Sequence, residues 1–81
     1  MTERAGERRP GITVVVNGEP CELPAGTSVA DAVARVTGRS GPAASGVAAA
    51  LNDEVVRRSE WTATTLAEAD RLEVLTAVQG G

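Results

Sequence analysis

Apolar residues in this chain fall into short alternating runs separated by turn residues, with one stretch at helical spacing. Ile12-Thr13-Val14-Val15-Val16 is β-branched throughout and predicts a strand. Asn17-Gly18 follows, the favoured dipeptide of a type I′ hairpin turn. Glu19 to Leu23 then returns antiparallel, with Cys21 and Leu23 on one face and Glu22 on the other. Pro20 fits this second strand only at a sheet edge, because proline has no N–H to give to a ladder. Pro24-Ala25-Gly26 is a turn, and Ser28 with Asp31 three residues on is a variant of the capping box. Val29, Val33 and Val36 lie at i, i+4 and i+7, one apolar stripe, and Gly38 is placed to end the helix. Valine is a mediocre helix former, so packing has to hold this helix in place.

Arg39 to Ser45 reads as a loop rich in Gly, Pro and Ala. Val47, Ala49 and Leu51 alternate as a third strand, Asn52-Asp53 turns the chain, and Glu54-Val55-Val56 makes a short return strand. Arg57 to Trp61 is a polar connection carrying the only aromatic residue. Leu66 to Asp70 turns into a last strand, in which Leu72, Val74, Thr76 and Val78 share one face and Glu73, Leu75 and Ala77 the other. The order is hairpin, helix, short hairpin, last strand. The first and last strands are the most apolar and are expected to pair at the centre, parallel, with the helix inside their crossover. The expected fold is therefore α+β: a β-grasp, as in ubiquitin, with a mixed sheet of four to five strands and one main helix packed on one face. The expected organisation is a disordered extension over residues 1–11, the β-grasp domain over 12–78 and a flexible tail over 79–81.

That tail is the chemical signal. The last strand runs into Gly80-Gly81, an unhindered α-carboxylate on a short stalk. Glycine has no Cβ, so such a tail can thread a narrow slot. Three residues beyond Val78 span roughly 10 Å when extended, enough to enter another protein's active site. At a glycine usage of about 7%, two terminal glycines arise by chance in roughly one chain in two hundred, so the rest of the chain has to decide.

Composition narrows the choice. The chain has 81 residues, 42% of them hydrophobic, with one Trp and no Phe or Tyr, so its core is built from Val, Leu, Ile and Ala. A domain this small is expected to be stable by only about 5 kcal/mol. A net charge of −3 argues against nucleic acid and for a basic docking surface on another protein. There is no His, no Lys, and a single Cys, so no zinc site, no phosphate-cradling lysine loop and no internal disulfide can form. The lone Cys fits a reducing cytoplasm, and no apolar stretch reaches the length of a membrane span. The N-terminal segment has charges but no apolar run, so it does not read as a secretory signal. The protein is expected to be acted upon rather than to act as an enzyme, with no bound cofactor, and to be monomeric when free.

Other residues read as structural. Cys21 is expected to be a small buried hydrophobe rather than a sulfur relay. Trp61 is expected to close one end of the sheet rather than anchor an interface. Arg57-Arg58 and Asp53-Glu54 read as solvated surface. On the open face, Leu75 and Ala77 are docking candidates, unless the loop carrying Trp61 covers them.

The stretches ALNDEVV, RSEW and TTLAEADRLEVLTAVQGG, with VVVNGEPCELPAGTSVADAV upstream, resemble the thiamine-biosynthesis sulfur carrier protein family over roughly residues 12–81. The most specific pieces are the asparagine closing the third strand, the Ser-Glu-Trp triplet and the terminal Gly-Gly. Two positions depart from the family pattern: Arg57, where proline is frequent, and Ala69, where glycine is usual. If position 69 needs a positive φ, alanine there costs about 1 kcal/mol. The resemblance implies that an adenylating enzyme of the ubiquitin-activating type, using ATP, activates the Gly81 carboxylate. Sulfur then converts it to a thiocarboxylate, and a thiazole synthase receives that sulfur. On physical grounds Gly80 and Gly81 let the tail extend inside a tunnel and keep the carbonyl uncrowded, and Gln79, next to the tail, is expected to hydrogen-bond to the partner. Other readings share the fold and tail: carriers for molybdopterin or cysteine synthesis, or a ubiquitin-like modifier conjugated through Gly81. A plain binding module, which would not need Gly80-Gly81, is the third class.

Overall fold

The structure is a computed structural model and describes residues 11–39 and 44–76. Five strands form one sheet in the order β2-β1-β5-β3-β4. They are β1 (Gly11–Val16), β2 (Glu19–Pro24), β3 (Val47–Leu51), β4 (Glu54–Val56) and β5 (Arg71–Thr76), with α1 (Val29–Thr37) between the two hairpins. The central pair, β1 and β5, is parallel, with Val15 opposite Arg71 and Val16 opposite Leu72. Every other pairing is antiparallel. This is the β-grasp topology that the pattern of runs predicts.

Local chemistry explains each joint. Asn17 and Gly18 both have positive φ, 51° and 86°, as a type I′ turn requires. The β3–β4 turn repeats the device with Asn52 and Asp53 at 50° and 72°. Pro20 pairs opposite Val15 on β2, which is an edge strand. The helix begins at a reciprocal capping box: the Asp31 N–H donates to Ser28 Oγ at 3.1 Å, and the Ser28 N–H to Asp31 Oδ2 at 3.3 Å. It ends at Gly38, in the left-handed region at φ 73°.

The core lies between α1 and one face of the sheet. Val14, Leu72, Val29 and Val33 are fully buried there, with Leu23, Val47, Ala49, Leu66 and Val74 around them. Ala32 completes the buried side of the helix, whereas Val36 is 43% exposed, so the expected valine stripe covers only its first two members. Val36 sits in the last turn and lines an open groove at the β2 edge together with Val16, Pro20 and Cys21. Trp61 is buried, and its Nε1–H donates to the Val56 carbonyl at 2.9 Å. Its own carbonyl accepts from the Ala30 N–H at 3.2 Å. It thus ties β4 to the first turn of α1 and closes that end of the sheet. No helix among the described residues is long and apolar enough to cross a membrane.

Candidate functional site: the open sheet face and the strand leading to the tail

β5 lies between β1 and β3, and its alternation decides what each face presents. Leu72 and Val74 point into the core, so Arg71, Glu73 and Leu75 point away from the helix. On β3 the same parity sends Val47 and Ala49 inward and Ala48 and Ala50 outward. Ala48 stands opposite Leu75, and Ala50 opposite Glu73 on one side and Val55 on the other. Leu75 is 66% exposed and Val55 80% exposed. The two alanines between them keep the surface flat, so the four residues make a low apolar patch on the open face. Its margin is charged: Glu73 lies within it, and Arg71 pairs with Asp53 at 3.1 Å. That hydrogen bond and the carboxylate's charge hold the Arg71 guanidinium above its ordinary pKa. Both groups are exposed, so the pair adds little stability.

Of the candidate residues named from the sequence, Leu75 stands in this patch. Ala77, Gln79, Gly80 and Gly81 lie outside the described residues. The loop carrying Trp61 does not cover Leu75, because the indole is packed into the core beneath the sheet. Ala48, Ala50 and Val55 are the members that sequence reasoning missed. The signal was present: if Val47, Ala49 and Leu51 face inward, their neighbours face out.

β5 is held by side chains as well as by its ladders. The Val15 N–H donates to the Asp70 carbonyl and the Asn17 N–H to the Leu72 carbonyl, both at 2.9 Å. Beyond them the Asn17 carboxamide takes over. Its Nδ2 donates to the Val74 carbonyl at 3.2 Å, and its Oδ1 accepts from the Val74 N–H at 2.8 Å. At the other end of the strand Asn52 Oδ1 accepts from the Arg71 N–H at 2.9 Å, and its Nδ2 donates to Asp70 Oδ1 at 3.0 Å. Ala69 enters β5 at φ 73°, and its N–H donates to the Thr13 carbonyl at 2.8 Å. Position 69 thus does need a positive φ, the condition under which alanine is expected to cost stability.

The remaining candidates are accounted for by packing. Cys21 is half-buried against the core cluster. Arg58 is not simply solvated surface, since its guanidinium lies 5.1 Å from the Trp61 ring centroid, in cation–π range. Asp53 is likewise engaged, through Arg71. Among the described residues no group of His, Cys, Asp and Glu could hold a metal ion. What this arrangement offers among the described residues is an exposed apolar patch on a firmly held strand.

Comparison with known proteins points the same way. No curated protein sequence matches the chain. Among solved structures, the thiamine biosynthesis protein ThiS of Geobacter metallireducens superposes with a TM-score of 0.68 at 28% identity. That match covers 86% of this chain and 100% of the other. The model of the ThiS family matches residues 6–81, through the terminal Gly-Gly. With its β-grasp sheet, its small core and its glycine end all inside that match, the chain belongs to the ThiS family.

Proposed function

We propose that this protein is a sulfur carrier of thiamine biosynthesis and that the Gly81 carboxylate is its working group. The observation that carries the reading is the family match reaching residue 81, at the end of a chain segment launched from the central strand. A free carboxylate is a poor acyl donor, because its leaving group would be oxide. In the proposed sequence a Gly81 oxygen attacks the α-phosphate of ATP on a partner of the ubiquitin-activating type, and pyrophosphate leaves. A sulfur nucleophile then adds to the acyl-adenylate carbonyl, AMP leaves, and the chain ends in a thiocarboxylate. The thioacid is ionised at neutral pH and is a soft nucleophile, suited to delivering sulfur to a thiazole synthase.

This chain's own part is to dock and to extend. The patch around Leu75 lies on the strand that leads to the tail, so docking there directs the tail toward the partner's site. Gly80 and Gly81 keep the carbonyl uncrowded, and Gln79 provides a polar contact beside them. Gly81→Ala is expected to lower adenylation about a hundredfold, as a reacting group displaced by about 1 Å does, with the fold unchanged. The deciding experiment is intact mass after incubation with the cognate adenylating enzyme, ATP and sulfide. A gain equal to sulfur for oxygen, absent in a chain lacking Gly80-Gly81, supports the carrier. An unchanged mass with a demonstrably active enzyme removes it.

A further inference from the structure

Alternate residues of β5 turn their backbone groups to opposite neighbours. Leu72 and Val74 address the β1 side, as the bonds to Asn17 show, while Arg71 addresses Asn52 at the end of β3. The β1 backbone turns away at Asn17-Gly18, with the parallel ladder only two residues deep. The next rung is made by a side chain. The Asn17 carboxamide gives Val74 one donor and one acceptor, as a further strand residue would, across 57 positions of sequence. Only one orientation of the amide satisfies both bonds. The positive φ of the turn favours asparagine or glycine at this position, and only asparagine also carries a carboxamide. What asparagine adds is the grip on Val74, immediately before Leu75 and Thr76.

We propose that Asn17 is a positioning residue: it fixes β5 at Val74 and so preorganises Leu75 and Thr76 for the activating partner. The inference rests on the carrier function proposed above and assigns a residue to it. Without the grip, β5 beyond Leu72 keeps its antiparallel ladder to β3 but loses its partner on the β1 side, so Val74 to Thr76 are held from one side only and gain freedom that docking has to remove. The cost falls on binding, hence on KM, and not on the chemical step.

The molecule contains its own control. Asn52 has the same left-handed backbone, φ 50° against 51°, and its side chain accepts from the Arg71 N–H at the start of β5 and donates to Asp70 Oδ1 just before it, at the end remote from Thr76. Asn17→Gly and Asn52→Gly keep both turns and delete one grip each. ATP-dependent thiocarboxylation is followed by intact mass at varied carrier concentration, with amide exchange at Val74 and thermal melts of each variant. Asn17→Gly is expected to raise KM about tenfold with kcat unchanged and to speed exchange at Val74. Asn52→Gly is expected to lower Tm comparably while keeping the wild-type KM. Equal KM for the two variants, or wild-type KM in Asn17→Gly, overturns the inference. Should Asn17→Gly fail to fold, Asn17→Asp decides: it keeps the turn and the acceptor but cannot donate to the Val74 carbonyl. A KM between wild type and tenfold supports the role, and a wild-type KM overturns it. If wild-type protein itself gains no sulfur, the carrier reading falls and takes this inference with it, a result distinct from all the others.

Discussion

At the scale of single residues, backbone sign matters more than side-chain size. Among the described residues, four that are not glycine have positive φ: Asn17, Asn52, Asp53 and Ala69. Asn and Asp tolerate that region, but alanine does not, since its Cβ crowds the following carbonyl by about 1–2 kcal/mol. Ala69 is held there by its bond to Thr13 and by the neighbouring Glu68, whose Oε1 accepts from the Thr13 N–H at 2.9 Å. Ala69→Gly is therefore expected to stabilise the protein by about 0.5–1 kcal/mol, the strain released less the entropy that glycine adds to the unfolded chain. For a domain of this size that raises Tm by a few degrees, roughly 4–8 °C per kcal/mol, readable in a thermal melt. An unchanged or lower Tm would mean that the turn relaxes around alanine. Asn17-Gly18 was legible as a turn because its signal is local. That both asparagines also grip β5 was not, because the partner backbone lies 57 positions from one and 19 from the other.

At the scale of elements, the helix shows how far pattern reading carries. Its start and stop were legible, since Ser28, Asp31 and Gly38 act on their immediate neighbours. Its buried face was legible only in part. Period places Val36 on the stripe, but it lines an open groove with Val16, Pro20 and Cys21 and stays 43% exposed, and how closely β2 packs against the last turn is not a local property of the helix. The capping box itself is a measurable contribution. Ser28→Ala removes the acceptor for the Asp31 N–H in a part-buried setting and is expected to cost about 1 kcal/mol, up to 2. The expected signature is a lower urea midpoint with an unchanged slope, since the folded and unfolded surfaces stay the same. A changed slope would instead report a rearranged α1. The strands were the most legible elements, because β-branched runs with proline at an edge have few other arrangements. The patch on their open face was under-read, because alanines carry little hydrophobic signal until register sets Ala48 beside Leu75 and Ala50 beside Val55.

At the scale of the whole molecule, one sheet separates two kinds of mutation. On the helix side a small core without Phe or Tyr depends on a single indole, which joins β4 to α1 and carries Arg58 on its face. Trp61→Ala is expected to cost about 3–5 kcal/mol, as large-to-small changes at buried aromatics do. That approaches the whole stability of a marginal domain, so the variant should be largely unfolded in the absence of partner. Trp61→Phe keeps most of the packing and loses the bond to the Val56 carbonyl, an effect of about 1–3 kcal/mol. On the other side Leu75 is mostly in water already. Leu75→Asp should leave Tm nearly unchanged, within about 0.5 kcal/mol. It sets a second carboxylate beside Glu73 in the middle of the apolar patch, so association with a partner must now desolvate a charge. The expected result is a folded protein with an intact Gly81 that is thiocarboxylated at a normal kcat but with KM raised tenfold or more, about 1.4 kcal/mol of lost binding. A loss of Tm would place Leu75 in the core, against its exposure. A normal KM would move docking off this face and leave the tail to recruit the partner alone.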